Sequence, residues 1–320
     1  MSGLRLDRAA RDRLTVLVWS GAWRLVRLLP ERLAYALFRL GADVAWRRRG
    51  RGVLQLERNL ARAAPEAGPA RLRELSRAGM RSYLQYWCDA FRLPDWSYDR
   101  SVRTVAVVDE WRVREPLSAG RGVVCVLPHM GNWDHVGAWA TRTGMPLTTV
   151  AERLRPEEVY ERFVAYREGL GMRILPLTGG DVDVLGALVE HAAGGGLVCL
   201  LGDRDLHRTG VPVQLLGEPT RFPPGPALVA LRTGAALLPV TTHNEGRRLV
   251  VRLHPYVEPP ATGTLAQKVR AMTQQVADVF GAAIAEHPEA WHMLQPVWPA
   301  DLDEDRRAAL DGPGGGRAAS

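Results

Sequence analysis

Cysteine and lysine are both scarce in this chain of 320 residues. The three cysteines, Cys88, Cys125 and Cys199, show no paired spacing, and the last two lie in apolar, strand-like runs. This pattern is typical of small buried side chains in a reducing compartment, and it argues against a disulfide scaffold or a zinc site. Lys268 is the only lysine, and we interpret the preference for arginine as a matter of composition.

Long apolar runs are also missing. The longest uncharged run near the start, from Leu14 to Trp23, has ten residues, whereas a helix needs roughly 20 to cross a bilayer. No small-residue cleavage site follows it, so a signal peptide is not expected. A glycine-rich nucleotide fingerprint is absent as well, because Gly194–Gly196 precedes an apolar run instead of following one.

Positive charge is concentrated at the start of the chain. Residues 1–50 contain eleven arginines and four acidic residues, so they carry the whole net charge of +7. A basic end on an electrically balanced body predicts contact with an anionic partner, either a membrane surface or a nucleic acid.

Arginines and apolar side chains separate onto different faces of two predicted helices, at residues 14–29 and 31–46. One interpretation is that these helices simply cover the domain; the other is that they lie in the lipid interface, with Trp19, Trp23 and Trp46 near the headgroups. The charge distribution favours the second. We therefore predict membrane-docking helices at 1–50 packed on one large domain at 51–300, and a flexible tail at 301–320.

From about residue 104 onward, short apolar runs alternate with helical segments. The predicted strands lie near residues 122–127, 147–150, 173–175, 197–201, 237–242 and 249–253. The predicted helices include 132–143, 156–170, 182–192, 225–233 and 264–286. Continuous apolar strands separated by helices predict an α/β fold, with a central, mostly parallel sheet covered by helices on both faces.

The segment with the most candidate site residues follows the predicted strand at 122–127. The strand ends at Leu127, Pro128 breaks it, and Asn132 is a suitable N-cap for the next helix. His129 and Asp134 would point about 140° apart on one continuous helix. They can meet only if His129 lies in the turn ahead of the helix, which the proline and glycine in this segment allow.

A histidine in such a turn suits general-base catalysis. A neutral imidazole takes the proton of a hydroxyl as that hydroxyl attacks a thioester, while a carboxylate on the other ring nitrogen fixes the tautomer. The spacing alone carries little weight, since eight histidines and 35 acidic residues would give about one such pair by chance. Its position at a strand–turn–helix junction is what makes it informative.

A second carboxylate has a similar position. Asp203 follows the apolar run 197–201, and charged residues at the carboxyl ends of strands are where α/β sheets place their sites. If this strand runs parallel to the one before His129, Asp203 and His129 share an edge of the sheet. The alternative is a solvated turn with internal ion pairing, so the sequence leaves open whether Asp134 or Asp203 orients His129.

These residues carry a family resemblance. The segment Pro128-His-Met-Gly-Asn-Trp-Asp134 resembles the His-x4-Asp block of the lipid A biosynthesis acyltransferase superfamily, and in particular that of the phosphatidylinositol mannoside acyltransferases of actinobacteria. Further blocks agree in order, over about residues 20–300: TVAERLRPE at 149–157, RFVAYRE at 162–168, LPLTGG at 175–180, DRDL at 203–206, LGEPTR at 216–221, PGPA at 224–227 and WHMLQ at 291–295.

The resemblance implies a glycerolipid acyltransferase-like fold and an acyl-CoA-dependent O-acyltransferase, peripheral on the cytoplasmic face of the plasma membrane. Such an enzyme moves a palmitoyl-type chain from acyl-CoA to a mannose hydroxyl of a phosphatidylinositol mannoside. It implies His129 as the base, Asp134 as its motif partner, and Asp203 where relatives carry glutamate. It implies no metal and no cofactor beyond acyl-CoA as co-substrate, and no nucleic-acid partner is then expected.

Four further charged residues in the matching blocks are candidates for binding the sugar and phosphate groups of the substrates. They are Glu152, Arg153, Arg167 and Arg204. A structural ion pair such as Glu152–Arg167 is the alternative. We expect Trp291 and His292 to contribute packing only.

The acyl chain needs an apolar slot. Trp133, Val136 and Trp139 lie near His129 in the sequence and are candidates for its walls, although each also suits an ordinary core. Two other functions remain open at this stage. One is the same chemistry on another glycolipid or a lysophospholipid, and the other is a non-catalytic, basic membrane- or nucleic-acid-binding protein.

Overall fold

The computed structural model describes Val16 and residues 21–153, 155–177, 183–207 and 209–311. The predicted helix at 14–29 therefore lies partly outside the described residues, as do Trp19 and the end of the predicted tail. Within the described part, residues 21–28 are helical and form α1.

A seven-stranded sheet forms the centre of the molecule. Its strands are β1 (Val105–Val108), β2 (Val123–Leu127), β3 (Leu147–Ala151), β4 (Arg173–Pro176), β5 (Leu197–Leu201), β8 (Ala236–Glu245) and β9 (Arg248–Leu253), in the spatial order β1-β9-β8-β2-β5-β3-β4. Strands β8, β2, β5, β3 and β4 run parallel, whereas β9 is antiparallel to β8 and β1 is parallel to β9. The remaining two strands, β6 (Val211–Leu215) and β7 (Glu218–Phe222), form a separate hairpin. The predicted mostly parallel α/β sheet is confirmed.

Helices cover both faces of the sheet. They are α2 (Glu31–Arg48), α3 (Arg51–Ala63), α4 (Pro69–Arg92), α5 (Tyr98–Arg103), α6 (Trp111–Ser118), α7 (Trp133–Arg142), α8 (Glu157–Gly169), α9 (Val184–Ala193), α10 (Gly225–Thr233), α11 (Leu265–Glu286) and α12 (Glu304–Asp311). Alternate residues of β2 serve the two layers. Val124 and Val126 pack with α9, α10 and α11, while Val123, Cys125 and Leu127 pack with α7 and α8. Burial on both sides explains why β2 is apolar at every position.

The N-terminal helices pack on α4, and their aromatic residues face the protein. Trp23 has its ring 5.3 Å from that of Phe91 and donates its indole N–H to the Phe91 carbonyl at 3.1 Å. Trp46 donates to Ser76 Oγ at 2.9 Å. The expectation that Trp23 and Trp46 lie among lipid headgroups is therefore wrong, because both indoles are committed to partners inside the fold.

Leucines, not tryptophans, form the exposed apolar surface of these helices. Leu33, Leu37, Leu40 and Val44 are all exposed on α2, and we call them the apolar stripe. Their spacing places them on one side of the helix. Leu28 of α1 is 82% exposed. Among the described residues, no helix is both long and apolar enough to span a membrane.

Residues 301–311, the described part of the predicted tail, contain secondary structure. Asp301 accepts hydrogen bonds from Arg62 at 2.8 and 3.0 Å, and residues Glu304–Asp311 form α12. Residues 301–311 of the predicted tail therefore contain a helix and an ion pair with Arg62, and the flexibility predicted for 301–320 stays a prediction.

Candidate active site

A tight turn carries His129 from β2 to α7. Gly131 has a φ of +60°, and an added Cβ would lie 2.2 Å from Thr242 Oγ1 and 2.8 Å from the Thr242 carbonyl oxygen. Only glycine fits such a backbone against a neighbouring strand. Asn132 accepts the His135 N–H at 3.0 Å, which confirms the predicted N-cap of α7.

Asp203 reaches the same edge from the neighbouring strand. Strands β2 and β5 are parallel and pair Leu127 with Leu201. The Gly202 N–H donates to the Leu127 carbonyl at 2.8 Å, so the two chains leave the sheet side by side. His129 and Asp203 each stand two residues beyond their strand, as the parallel arrangement predicts.

The two side chains are in direct contact. His129 Nδ1 lies 2.6 Å from Asp203 Oδ1, and the His129 backbone N–H donates to Oδ2 at 2.9 Å. The Trp291 indole N–H donates to the same Oδ2, also at 2.9 Å. Asp203 is fully buried, whereas the His129 side chain is 37% exposed. Because Nδ1 is used for Asp203, Nε2 is the nitrogen that can accept a proton.

Each member of this pair stabilises the charged form of the other. Burial works against the charged form of Asp203, but His129 and the N–H donors outweigh it, so the pKa of Asp203 is held below its usual range. Burial likewise opposes a charged His129, but the Asp203 carboxylate outweighs it, and the pKa of His129 is raised. The imidazole is therefore a stronger base than a free one, and its protonated form is stabilised.

Asp134 is not a partner of His129. Its carboxylate accepts from the Tyr86 hydroxyl at 2.8 Å and from Arg167 Nε at 2.7 Å, and it is buried. The alternative ion pair Glu152–Arg167 is therefore wrong, since Arg167 is paired with Asp134. Tyr86 in turn stacks on Trp133 at 4.2 Å, and the Trp133 ring lies 5.5 Å from that of His129. Asp134 thus connects to His129 through the rings of Tyr86 and Trp133.

The other predicted binding residues fall into two groups. Glu152 and Arg204 surround the pair electrostatically: Glu152 raises the pKa of His129 and Arg204 lowers it. Arg204 donates Nε–H to the Pro296 carbonyl at 2.8 Å, and burial lowers its own pKa. Arg153, by contrast, is exposed and bonds Glu157 of α8 at 2.8 Å.

Sequence reasoning missed Trp291. It was expected to contribute packing only, yet its indole N–H is the third donor to Asp203. Its neighbour His292 is buried, and its backbone N–H donates to the His129 carbonyl at 2.7 Å. Burial lowers the pKa of His292 to about 3, so this second imidazole is neutral. The only signal in the sequence was the WHMLQ block of the family resemblance.

An apolar cavity of about 80 Å³ lies beside the turn that carries His129. Its lining includes Leu127 at the end of β2, Trp133 and Val136 on α7, and Leu201 at the end of β5. The expected wall residue Trp139 is buried in the core instead. The Asp134–Arg167 pair forms the polar part of the wall.

No group of three or more histidine, cysteine, aspartate or glutamate side chains suited to a metal ion occurs in the described part of the chain.

Comparison with known proteins gives consistent matches. The family described as "Bacterial lipid A biosynthesis acyltransferase" matches residues 7–299. A protein of Mycolicibacterium smegmatis named phosphatidylinositol mannoside acyltransferase is 45% identical over 93% of this chain and 95% of its own length. Two proteins of the same name, from two strains of Mycobacterium tuberculosis, are 42% identical over 97% of this chain and 98% of their own length. With His129 and the buried Asp203 in contact at paired strand ends and a match over nearly its whole length, the chain belongs to the bacterial lipid A biosynthesis acyltransferase family.

Proposed function

We propose that this protein transfers a palmitoyl-type acyl chain from acyl-CoA to a mannose hydroxyl of a phosphatidylinositol mannoside, with His129 as the general base. The observation that carries the proposal is the His129–Asp203 contact of 2.6 Å, with no hydrogen bond to His129 Nε2 from the described residues. An apolar cavity lined by Leu127 and Trp133, which flank His129 in the chain, lies next to it. The substrate follows from the names of relatives that are 42–45% identical over most of this chain.

The reaction needs one proton to be held and then returned. His129 Nε2 takes the proton of the mannose hydroxyl while the oxygen attacks the thioester carbonyl and a C–O bond forms. The tetrahedral intermediate then collapses, the C–S bond breaks, and the sulfur of CoA leaves with the electron pair. The imidazolium returns its proton to that sulfur, so the products are the ester and CoA. Asp203 stabilises the imidazolium between these two events.

The remaining site residues have supporting roles in this proposal. In this proposal the apolar cavity beside Trp133, with a volume of about 80 Å³, accommodates only the part of the acyl chain nearest the thioester. We assign contact with the sugar and phosphate groups of the acceptor to Glu152 and Arg204, because both interact electrostatically with His129. Asp134 holds Arg167 and Tyr86 and thereby supports Trp133, so we assign it a positioning role.

A peripheral location at the cytoplasmic face of the plasma membrane is part of the proposal. It is supported by the apolar stripe on α2 and by exposed Leu28 on α1. The excess of arginine in residues 1–50 would draw these helices to an anionic surface.

The experiment that tests the proposed function is analysis of the reaction products. The protein is incubated with palmitoyl-CoA and a purified phosphatidylinositol mannoside, and release of CoA is followed together with mass spectrometry of the lipids. We expect CoA release only when the acceptor is present, with a matching gain of one palmitoyl group on mannose. Acylation of lysophospholipid or of another glycolipid, with the phosphatidylinositol mannoside left unchanged, would refute the proposed acceptor.

A further inference from the structure

A second and much larger cavity lies away from His129. It has a volume of about 820 Å³ and opens between α2, α4 and the turn that joins β8 to β9. Its lining contains five arginines but only two carboxylates, and we call it the arginine groove. The arginines are Arg32, Arg39, Arg81, Arg100 and Arg247.

The two carboxylates of the groove are already engaged. Glu31 is paired with Arg100, at 2.5 Å, and with Arg247. Asp89 accepts a hydrogen bond from the Tyr35 hydroxyl, and burial raises the pKa of Asp89 to about 7. It therefore carries only part of a negative charge at neutral pH. His135 adds no charge, because burial lowers its pKa to about 4. The groove as a whole is positive.

Two of the arginines are available to a ligand. Arg81 is held by Asp43 at 2.7 Å, and Arg100 and Arg247 share Glu31. Arg32 and Arg39 are exposed and form no hydrogen bond or ion pair within the described residues. They are seven residues apart on α2, so they point to the same side of the helix and can approach one anion together.

The apolar stripe identifies the kind of anion. Leu33, Leu37 and Leu40 are on the same helix as Arg32 and Arg39, about a third of a turn away at roughly 100° per residue. Long arginine side chains reach phosphates from such a flank while the leucines contact acyl chains. A free phosphate would contact only the arginines, whereas a lipid would contact the arginines through its phosphate and the leucines through its acyl chains.

We propose that the arginine groove binds the phosphodiester headgroup of an anionic membrane phospholipid and so anchors α2 at the bilayer surface through a specific site. This inference rests on the proposed membrane location but not on the proposed reaction. Guanidinium groups bind phosphate oxygens through paired, planar hydrogen bonds that an ammonium group cannot reproduce.

Replacement of arginine by lysine tests this site without changing the charge. Binding of the full-length protein is measured with vesicles of phosphatidylglycerol in phosphatidylcholine and with vesicles of phosphatidylcholine alone. Arg32→Lys with Arg39→Lys should weaken binding to the anionic vesicles about ten-fold, the effect of losing charge-assisted hydrogen bonds. The matched control, Arg24→Lys with Arg48→Lys, changes two exposed arginines outside the groove and should alter binding less than about two-fold.

Equal binding by the wild type and the Arg32/Arg39 variant would overturn the proposal, since general electrostatic attraction would then be sufficient. Displacement of the wild type from the vesicles by an excess of CoA or inorganic phosphate would also overturn it, because the groove would then take a soluble anion.

Acyl transfer to a detergent-solubilised acceptor separates this inference from the proposed function. The Arg32/Arg39 variant should keep the wild-type rate there. A lower rate would mean that the groove holds a substrate and would overturn the docking site. A wild type that is inactive in this assay would count against the proposed function and leave the vesicle comparison unaffected.

Discussion

At the scale of single residues, Asp203 is the best-supported side chain of the site. It is fully buried, it contacts His129 Nδ1, and two N–H groups hold its other oxygen. Asp203→Asn keeps the size but places an amide opposite Nδ1, which allows the wrong tautomer. We expect kcat to fall about 10³- to 10⁴-fold, as in other catalytic pairs of this kind. Measurements of kcat and of thermal stability will check this predicted fall. A variant with nearly normal kcat would show that Asp203 does not orient His129.

The same pair determines the pH dependence. The proposed reaction needs neutral His129, so kcat/KM should fall as the pH drops through the pKa of His129. Asp203 raises that pKa above the usual value of about 6.5. In Asp203→Asn the carboxylate is lost and burial remains, so the acid limb of the residual activity should move to lower pH. An acid limb that stays in place in the pH profile of kcat/KM would contradict this account.

Trp291 offers a matched test of hydrogen bonding against packing. Trp291→Phe removes the N–H that holds Asp203 but keeps most of the buried ring, so kcat should fall about ten-fold with little change in KM. Trp298→Phe is the control, because Trp298 is equally buried and its N–H has no partner among the described residues. Steady-state kinetics of both variants will decide, and equal losses would assign Trp291 to packing alone.

At the scale of elements, the conformation of the turn that carries His129 from β2 to α7 depends on Gly131. An added Cβ would meet the backbone of β8, so Gly131→Ala should destabilise the protein by about 1–3 kcal/mol and strongly reduce kcat. Gly217→Ala is the control. Gly217 also has a positive φ, of +82°, but no atom lies near its missing Cβ. Denaturant unfolding and kcat should show a large effect only at Gly131. A Gly131→Ala variant with normal kcat would mean that the turn tolerates distortion.

Strands and helices with a regular pattern of apolar residues were predictable from the sequence. Elements whose residues bond to distant parts of the chain were not. Strand β2 is apolar throughout because both of its faces are covered. Helix α3 was missed because it buries polar residues such as Asn59, whose amide donates to the carbonyls of Met293 and Gln295. The hairpin β6–β7 was missed because each of its strands contains a proline, Pro212 and Pro219, and a proline argues against a strand.

The site itself was predictable only in part. The strand ends pointed to His129 and Asp203, because parallel strands bring their carboxyl ends together. Which of Asp134 and Asp203 contacts His129 could not be predicted, because it depends on the pairing of Asp134 with Arg167. Trp291 could not be predicted as a donor to Asp203, because it comes from a distant segment. Contacts between residues 88 positions apart leave no periodic signal in a single sequence.

At the scale of the whole molecule, α1 and α2 have two roles. They pack on the rest of the fold, and they form the proposed membrane contact. Asp43 on α2 binds Arg77 and Arg81 of α4, so removal of residues 1–50 would damage the fold as well as the surface. Point substitutions in the apolar stripe are therefore the better test. They alter the surface and leave the packed face intact.

Leu40→Ser should reduce vesicle binding about ten-fold, since burying one leucine contributes about 1.5–3 kcal/mol. Leu265→Ser is the control, because Leu265 is similarly exposed, at 50% against 58% for Leu40, but lies on α11. Sedimentation with anionic vesicles measures the difference. Equal binding of the two variants would place the membrane contact elsewhere on the surface.

The central claim, that His129 is the base, is tested most directly by single-turnover transfer of palmitate from palmitoyl-CoA in the His129→Ala variant. The account predicts no detectable acylated product, with unfolding temperature and palmitoyl-CoA binding close to the wild type. A well-folded His129→Ala variant that forms product at a near wild-type rate would contradict it.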